Sequence, residues 1–263
     1  MKLAITATPA APRPAPLLLY GDLAGAFRQA AEAGCQGLEI HFRDAAEVDL
    51  ALVKRLAEDY GLGIPTLGTG MAAADGLSFS HPDPHVRARA VDRVRGHVAF
   101  AAEVGAAVTI GSLSGNLRGA DLRGAALAAL ARVCRAAEDC GVTVLLEPLN
   151  RYECDYINTL EDGIAIIREL GAPNLKLLAD SFHMNIEEAD MTASLRAAAP
   201  FLGHVHLADS NRQAPGHGHL DIHAILRALD AAGYSGYLSF EVFPIPDARQ
   251  AIRDGISTVM RQS

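Results

Sequence analysis

The chain has 263 residues, half of them apolar, with 23 Lys and Arg set against 31 Asp and Glu for a formal charge of −8. This much apolar content with so modest a net charge excludes a disordered chain. The acidic balance argues against a nucleic-acid groove and against an anionic membrane surface, both of which need clustered basic side chains.

Short apolar runs alternate with helical patterns from end to end. The predicted strands are Lys2–Thr6, Gly37–Phe42, Gly63–Leu67, Ala107–Ser112, Thr143–Glu147, Leu175–Asp180, Gly203–Ala208 and Tyr237–Val242. Several are continuous apolar runs, as in parallel strands covered on both faces. The Pro/Ala stretch Pro9–Pro16 reads as the loop after the first strand. Its prolines break any apolar signal-peptide core, and no run approaches the ~20 apolar residues of a membrane span.

A helix signal follows each strand. The first starts at Asp22, carries Leu23, Phe27 and Ala31, and stops at Gly34. The second carries Leu50, Val53, Ala57 and Tyr60 and stops at Gly61. The third opens with Asp83 as N-cap and Pro84 at the first helical position, then places Val91, Val94, Val98 and Ala101 on one stripe. The fourth carries Leu127, Leu130, Val133 and Ala137 before Gly141. The fifth begins at Thr159 with Asp162 three residues on and ends at Gly171 before Pro173. A sixth is predicted around Glu187–Ala199, a seventh from Asp221 to Gly233, and the last from Asp247 through Val259. Eight strand–helix units in this length predict one α/β domain over residues 1–263, a single (β/α)₈ TIM barrel. An open doubly wound sheet would show a Gly-rich phosphate turn after the first strand, and ATPAAPRP is not one.

In such a barrel, chemistry gathers where strands end. The last four strands each bring a strong metal-binding side chain there: Glu147, Asp180, His206 and Glu241. A single acid at a strand end is usually just solvated, but four consecutive strands so equipped point to a divalent ion. Three carboxylates and one imidazole suit Mn²⁺, with Co²⁺ or Mg²⁺ as alternatives, better than a structural zinc. Glu153, His183 and Arg212 are expected on loops over the ion, placed to bind sugar hydroxyls.

Other polar residues receive plainer readings. His204 shares the strand face of His206 one layer deeper and reads as a supporting histidine. His217 and His219, in PGHGH, read as a turn with pocket-lining histidines. Asp209 reads as a loop acid and Asp221 as an N-cap. Phe182 and Met184 are assigned to pocket or core, and His81, His85, His97 and His223 to loops or helix surfaces. Cys35, Cys134, Cys140 and Cys154 form no C-x-x-C pair and read as free thiols, consistent with a cytoplasmic protein.

The segments EPLNRYECDYINT, ADSFHMNIEE, HVHLADSNRQAPGHGHLD and SFEVF resemble the ketose 3-epimerases, the D-tagatose, D-psicose and L-ribulose 3-epimerase group of the xylose-isomerase-like barrels. The resemblance implies Glu147, Asp180, His206 and Glu241 as metal ligands and Glu153, His183 and Arg212 as substrate contacts. It also implies a small sugar substrate, no nucleic-acid or membrane partner, and a homo-oligomer, dimer or tetramer. The implied reaction inverts the carbon beside the carbonyl of a free ketose or keto-sugar acid through a metal-stabilised enediolate. Glu147 and Glu241, from non-adjacent strands, would exchange the proton on the two faces. Relatives such as 5-keto-L-gluconate epimerases, hydroxypyruvate-type isomerases and inosose dehydratases run related chemistry on this barrel. A DNA-repair endonuclease of the same superfamily, of which Glu39 and His41 could be remnants, fits the acidic charge poorly.

Overall fold

The computed structural model describes residues 1–10, 15–118 and 121–261. Within the loop expected at Pro9–Pro16, residues 11–14 lie outside the described set. The strands are β1 (Lys2–Thr8), β2 (Leu19–Tyr20), β3 (Gly37–His41), β4 (Thr66–Gly68), β5 (Ala107–Ile110), β6 (Val144–Leu146), β7 (Leu175–Asp180), β8 (Leu202–His206) and β9 (Tyr237–Phe240). All pairings are parallel in the order β2-β1-β3-β4-β5-β6-β7-β8-β9. The sheet closes where Lys2, Leu3, Ala4 and Ile5 of β1 pair with Tyr237, Leu238, Ser239 and Phe240 of β9. The closed cylinder is the expected (β/α)₈ barrel. β2 is a short addition outside the ring, paired among the described residues with the end of β1 through Ala7 and Thr8.

Burial explains the strand composition. Ile5, Leu38, Ile40, Leu67, Val108, Ile110, Val144, Leu146, Leu177 and Phe240 are all fully buried, as strands between barrel interior and helix layer must be. The helix signals also act as read. Asp83 caps Pro84–Val104 by accepting from the His85 N–H. Thr159 and Asp162 form a reciprocal capping box on Leu160–Leu170, satisfying two otherwise orphaned N–H groups. Gly61 and Gly171 close their helices at φ 62° and 60°, a left-handed conformation that costs a side-chain-bearing residue energy.

Three features differ from the sequence reading. The third strand starts later than expected, at Thr66, and Gly63 contributes only an isolated bridge to Gly37. The sixth helix is two helices, Ser181–Glu187 and Met191–Ala198. The chain breaks between them because Asp190 leaves the helical conformation to cap Thr192 and Ala193. Finally, His97 is fully buried, not superficial. Its ring stacks on Phe42 at 4.6 Å and contacts the Arg93 and Phe42 carbonyls at 3.0 and 3.1 Å.

Candidate active site

The four strand-end residues meet in space. Asp180 and His206 are the last residues of β7 and β8 and pair directly in the ladder. Glu147 and Glu241 each lie one residue past β6 and β9. The Glu147 N–H still donates to the Ile110 carbonyl at 3.0 Å, which fixes where its side chain starts. One ligand atom from each of the four lies within 4.8 Å of the others. From the His206 Nδ1, Glu147 Oε1 is 3.5 Å away, Glu241 Oε2 3.6 Å and Asp180 Oδ2 3.9 Å.

These residues fit a cation. Among the described residues His206 Nδ1 and Glu147 Oε1 are buried with no hydrogen-bond partner, a costly arrangement unless another group satisfies them. Three buried carboxylates face two cationic groups, the Arg212 guanidinium and the His206 imidazole, so negative charge is in excess. The electrostatics report the same imbalance. Burial pushes Glu147 up, and it pushes Asp180 up to about 6 despite the pull of Arg212. Glu241 resists burial and is held low by His206 and Arg212. Burial disfavours charge on His206, yet Glu39 and Glu241 outweigh it and hold the imidazole well above its ordinary range.

Arg212 enters from the loop after β8 with φ 58°. Its Nη2 pairs with Glu241 Oε2 and lies 3.4 Å from Asp180 Oδ2. Its guanidinium sits 4.7 Å over the Phe182 ring. His183 lies not on a loop but in the first turn of Ser181–Glu187. The Asn150 backbone N–H and Nδ2 both approach His183 Nδ1, at 3.2 and 2.8 Å, so Nδ1 accepts and Nε2 carries the proton. Arg212 Nη1 at 3.3 Å from that Nε2 is therefore a donor–donor contact. Burial and Arg212 both lower the His183 pKa. Glu153 is exposed and accepts from Asn150 Nδ2 at 2.9 Å.

A cavity of about 510 Å³ opens above this cluster, and Glu147, Glu153, His183, His206, Arg212 and Glu241 all line it. Its far wall is built by Leu17, Tyr20, Thr69 and Met71. His217 and His219 are not in the lining: His217 pairs with Asp254 at 3.0 Å and His219 with the Ser210 hydroxyl at 2.9 Å. Asp209 is buried and organises that loop through the N–H groups of Ser210, Gly216 and Leu220.

Sequence reasoning undervalued Glu39 and His41. Glu39, fully buried on β3, faces His41, His204 and His206, and His41 lines the cavity. The available signal was an acid and a histidine two residues apart in GLEIH, hence on one strand face. Asn150 was overlooked although it stands in EPLNR.

A model of the xylose isomerase-like TIM barrel family matches residues 27–262. The chain belongs to that family. Within it, the chain is 40% identical to the L-ribulose 3-epimerase of Mesorhizobium japonicum over 220 residues, 81% of this chain and 72% of that protein. A solved structure of L-ribulose 3-epimerase superposes with a TM-score of 0.85 at 30% identity, covering 98% of this chain and 93% of the other. Over 118 residues, 44% of this chain, identity to the 3-dehydro-D-guloside 4-epimerase of Escherichia coli K12 is 42%, covering 45% of that protein. These matches place the chain in the ketose 3-epimerase group of the family, and its enzyme class is isomerase. Among the described residues no helix is long and apolar enough to cross a membrane.

Proposed function

We propose that this member of the family inverts the carbon beside the carbonyl of a free ketose, with Glu147 and Glu241 as the two proton-transfer groups. The observation that carries the reading is the pair of carboxylates from β6 and β9, strands separated by β7 and β8, both turned toward His206 Nδ1 at 3.5 and 3.6 Å. Glu147, Asp180, His206 and Glu241 would hold one divalent ion, Mn²⁺ by the oxygen-rich donor set. When bound, the ion supplies Lewis acidity that stabilises negative charge developing on the sugar oxygens, by several kcal/mol.

Inversion requires a proton to leave one face of the carbon and another to arrive on the opposite face. One glutamate removes the first and its counterpart returns the second, each contributing about 10²–10⁴-fold. Which acts first depends on the substrate's configuration. His183, with its proton on Nε2, donates to a sugar oxygen. Glu153 and the Nη1 edge of Arg212 orient the remaining hydroxyls. The Met71 and Leu17 wall excludes water from the far side.

The match to L-ribulose 3-epimerase over most of the chain supports a ketose inverted at C3. The match to 3-dehydro-D-guloside 4-epimerase supports a second reading, inversion beside the ketone of a keto-sugar derivative or sugar acid. Incubation with free ketoses, keto-sugar acids and added Mn²⁺ in D₂O tests both. Deuterium at C3 of a ketose with its epimer formed supports the first. Label only beside the ketone of a keto-sugar derivative supports the second, and label at C2 of an aldose product sinks both in favour of an isomerase. The formal charge of −8 supports a small-molecule rather than a nucleic-acid partner. A single-domain cytoplasmic protein, assembled as a dimer or tetramer, completes the reading, and sedimentation equilibrium tests the assembly.

A further inference from the structure

Beneath the four strand-end residues lies a second polar layer that the proposed chemistry does not use. Glu39 is fully buried at the centre of the barrel, and three imidazoles converge on it. His41 Nε2 lies 2.7 Å from Oε1, and His204 Nε2 lies 3.0 Å from Oε2. His206 Nε2 is shared between the two oxygens at 3.0 and 3.2 Å. Glu39 comes from β3 and both partner histidines from β8, on opposite sides of β1 and β9 in the ring, so the carboxylate bridges the barrel interior. These contacts occupy the Nε2 atoms of His204 and His206, which marks the group as a hydrogen-bonded layer and not a second ion site.

We infer that Glu39 is the positioning residue of the metal site: it keeps a proton on His206 Nε2 and turns Nδ1, the atom an ion would take, toward Glu147, Asp180 and Glu241. A carboxylate can only accept, so the ring nitrogen facing it must carry a proton. The other nitrogen of the same ring is then the free ligand atom, and it is the one that is buried without a partner. A carboxylate behind a ligating histidine fixes ring orientation and strengthens the ligand. His204 and His41 in turn fix Glu39, since each occupies one oxygen and prevents rotation of the carboxylate. The surroundings are shaped for this. A Cβ on Gly68 would collide with the His41 ring, so the backbone of β4 leaves the space that ring needs.

The inference rests on the proposed metal site, and the experiment separates the two. Mn²⁺ affinity of the full-length chain is measured by titration calorimetry for wild type, Glu39→Gln and His204→Gln, with thermal melts of each in EDTA. The expected result is a Kd for Mn²⁺ about 10–100-fold weaker in Glu39→Gln, a smaller loss in His204→Gln, and recovery of much of kcat at saturating Mn²⁺. A role confined to folding would lower the melting temperature and leave Kd unchanged. In the Zn²⁺-loaded wild type, ¹⁵N spectra of the imidazoles, with His206 assigned through His206→Gln, should show a protonated Nε2 and a metal-shifted Nδ1. Should Glu39→Gln fail to fold, Glu39→Asp and the tautomer measurement carry the test. Equal Mn²⁺ affinity in wild type and variant, or the reverse tautomer, overturns this inference alone. A wild type that binds no Mn²⁺ overturns the metal-site reading and this one with it.

Discussion

His206 Nδ1 and Glu147 Oε1 face each other at 3.5 Å, both buried and neither hydrogen-bonded. With Asp180 and Glu241 crowding the same point, the folded chain carries an electrostatic cost that the unfolded chain does not. A divalent ion held by these groups binds the native state alone and stabilises it by mass action, by about 2.7 kcal/mol at a hundred times its Kd. At about 2–4 °C per kcal/mol for a chain of this size, Mn²⁺ should raise the melting temperature by roughly 5–10 °C over the EDTA-treated protein. Identical melts with and without Mn²⁺ would refute the site.

The two-face arrangement makes a sharper kinetic prediction. Glu147→Gln and Glu241→Gln should each lower epimerisation by at least about 10²-fold, with unchanged circular dichroism. The surviving glutamate can still remove and return a proton on its own face. Each variant should therefore exchange solvent deuterium into one epimer only, and the two variants into opposite epimers. NMR of each purified epimer in D₂O reads this directly. Exchange into the same epimer by both variants contradicts the assignment of faces.

The barrel and its metal-facing quartet were legible because both depend on short-range rules. Strands end where apolar runs end, and a βα-loop end is a mouth position, so Glu147, Asp180, His206 and Glu241 could be read one strand at a time. Glu39 could not be read this way. Its partners His204 and His206 lie 165 and 167 residues along the chain, and cross-barrel contacts leave no spacing signal. His97 was misjudged for a different reason. It stands three residues after Val94 and four before Ala101, within the buried stripe of Pro84–Val104, yet its polarity was weighed above its position. The break in the sixth helix was hidden because Asp190, whose side chain accepts from the Thr192 and Ala193 N–H groups, looks like any helix-surface acid.

Gly111 offers a test of how tightly Glu147 is placed. Its φ is −111° and its ψ −97°, so the position is not held in the left-handed region that demands glycine. A Cβ there would stand 2.5 Å from Glu147 Oε2. Gly111→Ala should therefore fold, with stability lowered by about 1–3 kcal/mol from local overpacking. It should lose turnover and Mn²⁺ affinity together, by about tenfold or more, because the displaced carboxylate serves both. A variant with wild-type kcat and Mn²⁺ Kd would show that Glu147 is free to move.

His97 predicts a pH dependence of stability separate from the metal site. Burial lowers its pKa from the ordinary 6.5, only partly offset by the Arg93 and Phe42 carbonyls and by Asp44, while Arg93 adds to the lowering. The folded imidazole is therefore neutral where the unfolded one begins to bind a proton. Stability from this residue is whole above about pH 6.5 and is lost as pH falls below it toward the depressed folded value, with a slope of at most about 1.4 kcal/mol per pH unit. Denaturant melts between pH 7.5 and 5 on the EDTA-treated wild type and His97→Gln should show the steeper loss in wild type. The other histidines contribute alike to both proteins, so the difference in slope isolates His97. A parallel pair of curves would mean that the stacked ring over Phe42 keeps its proton in the fold, donating to both carbonyls as an imidazolium.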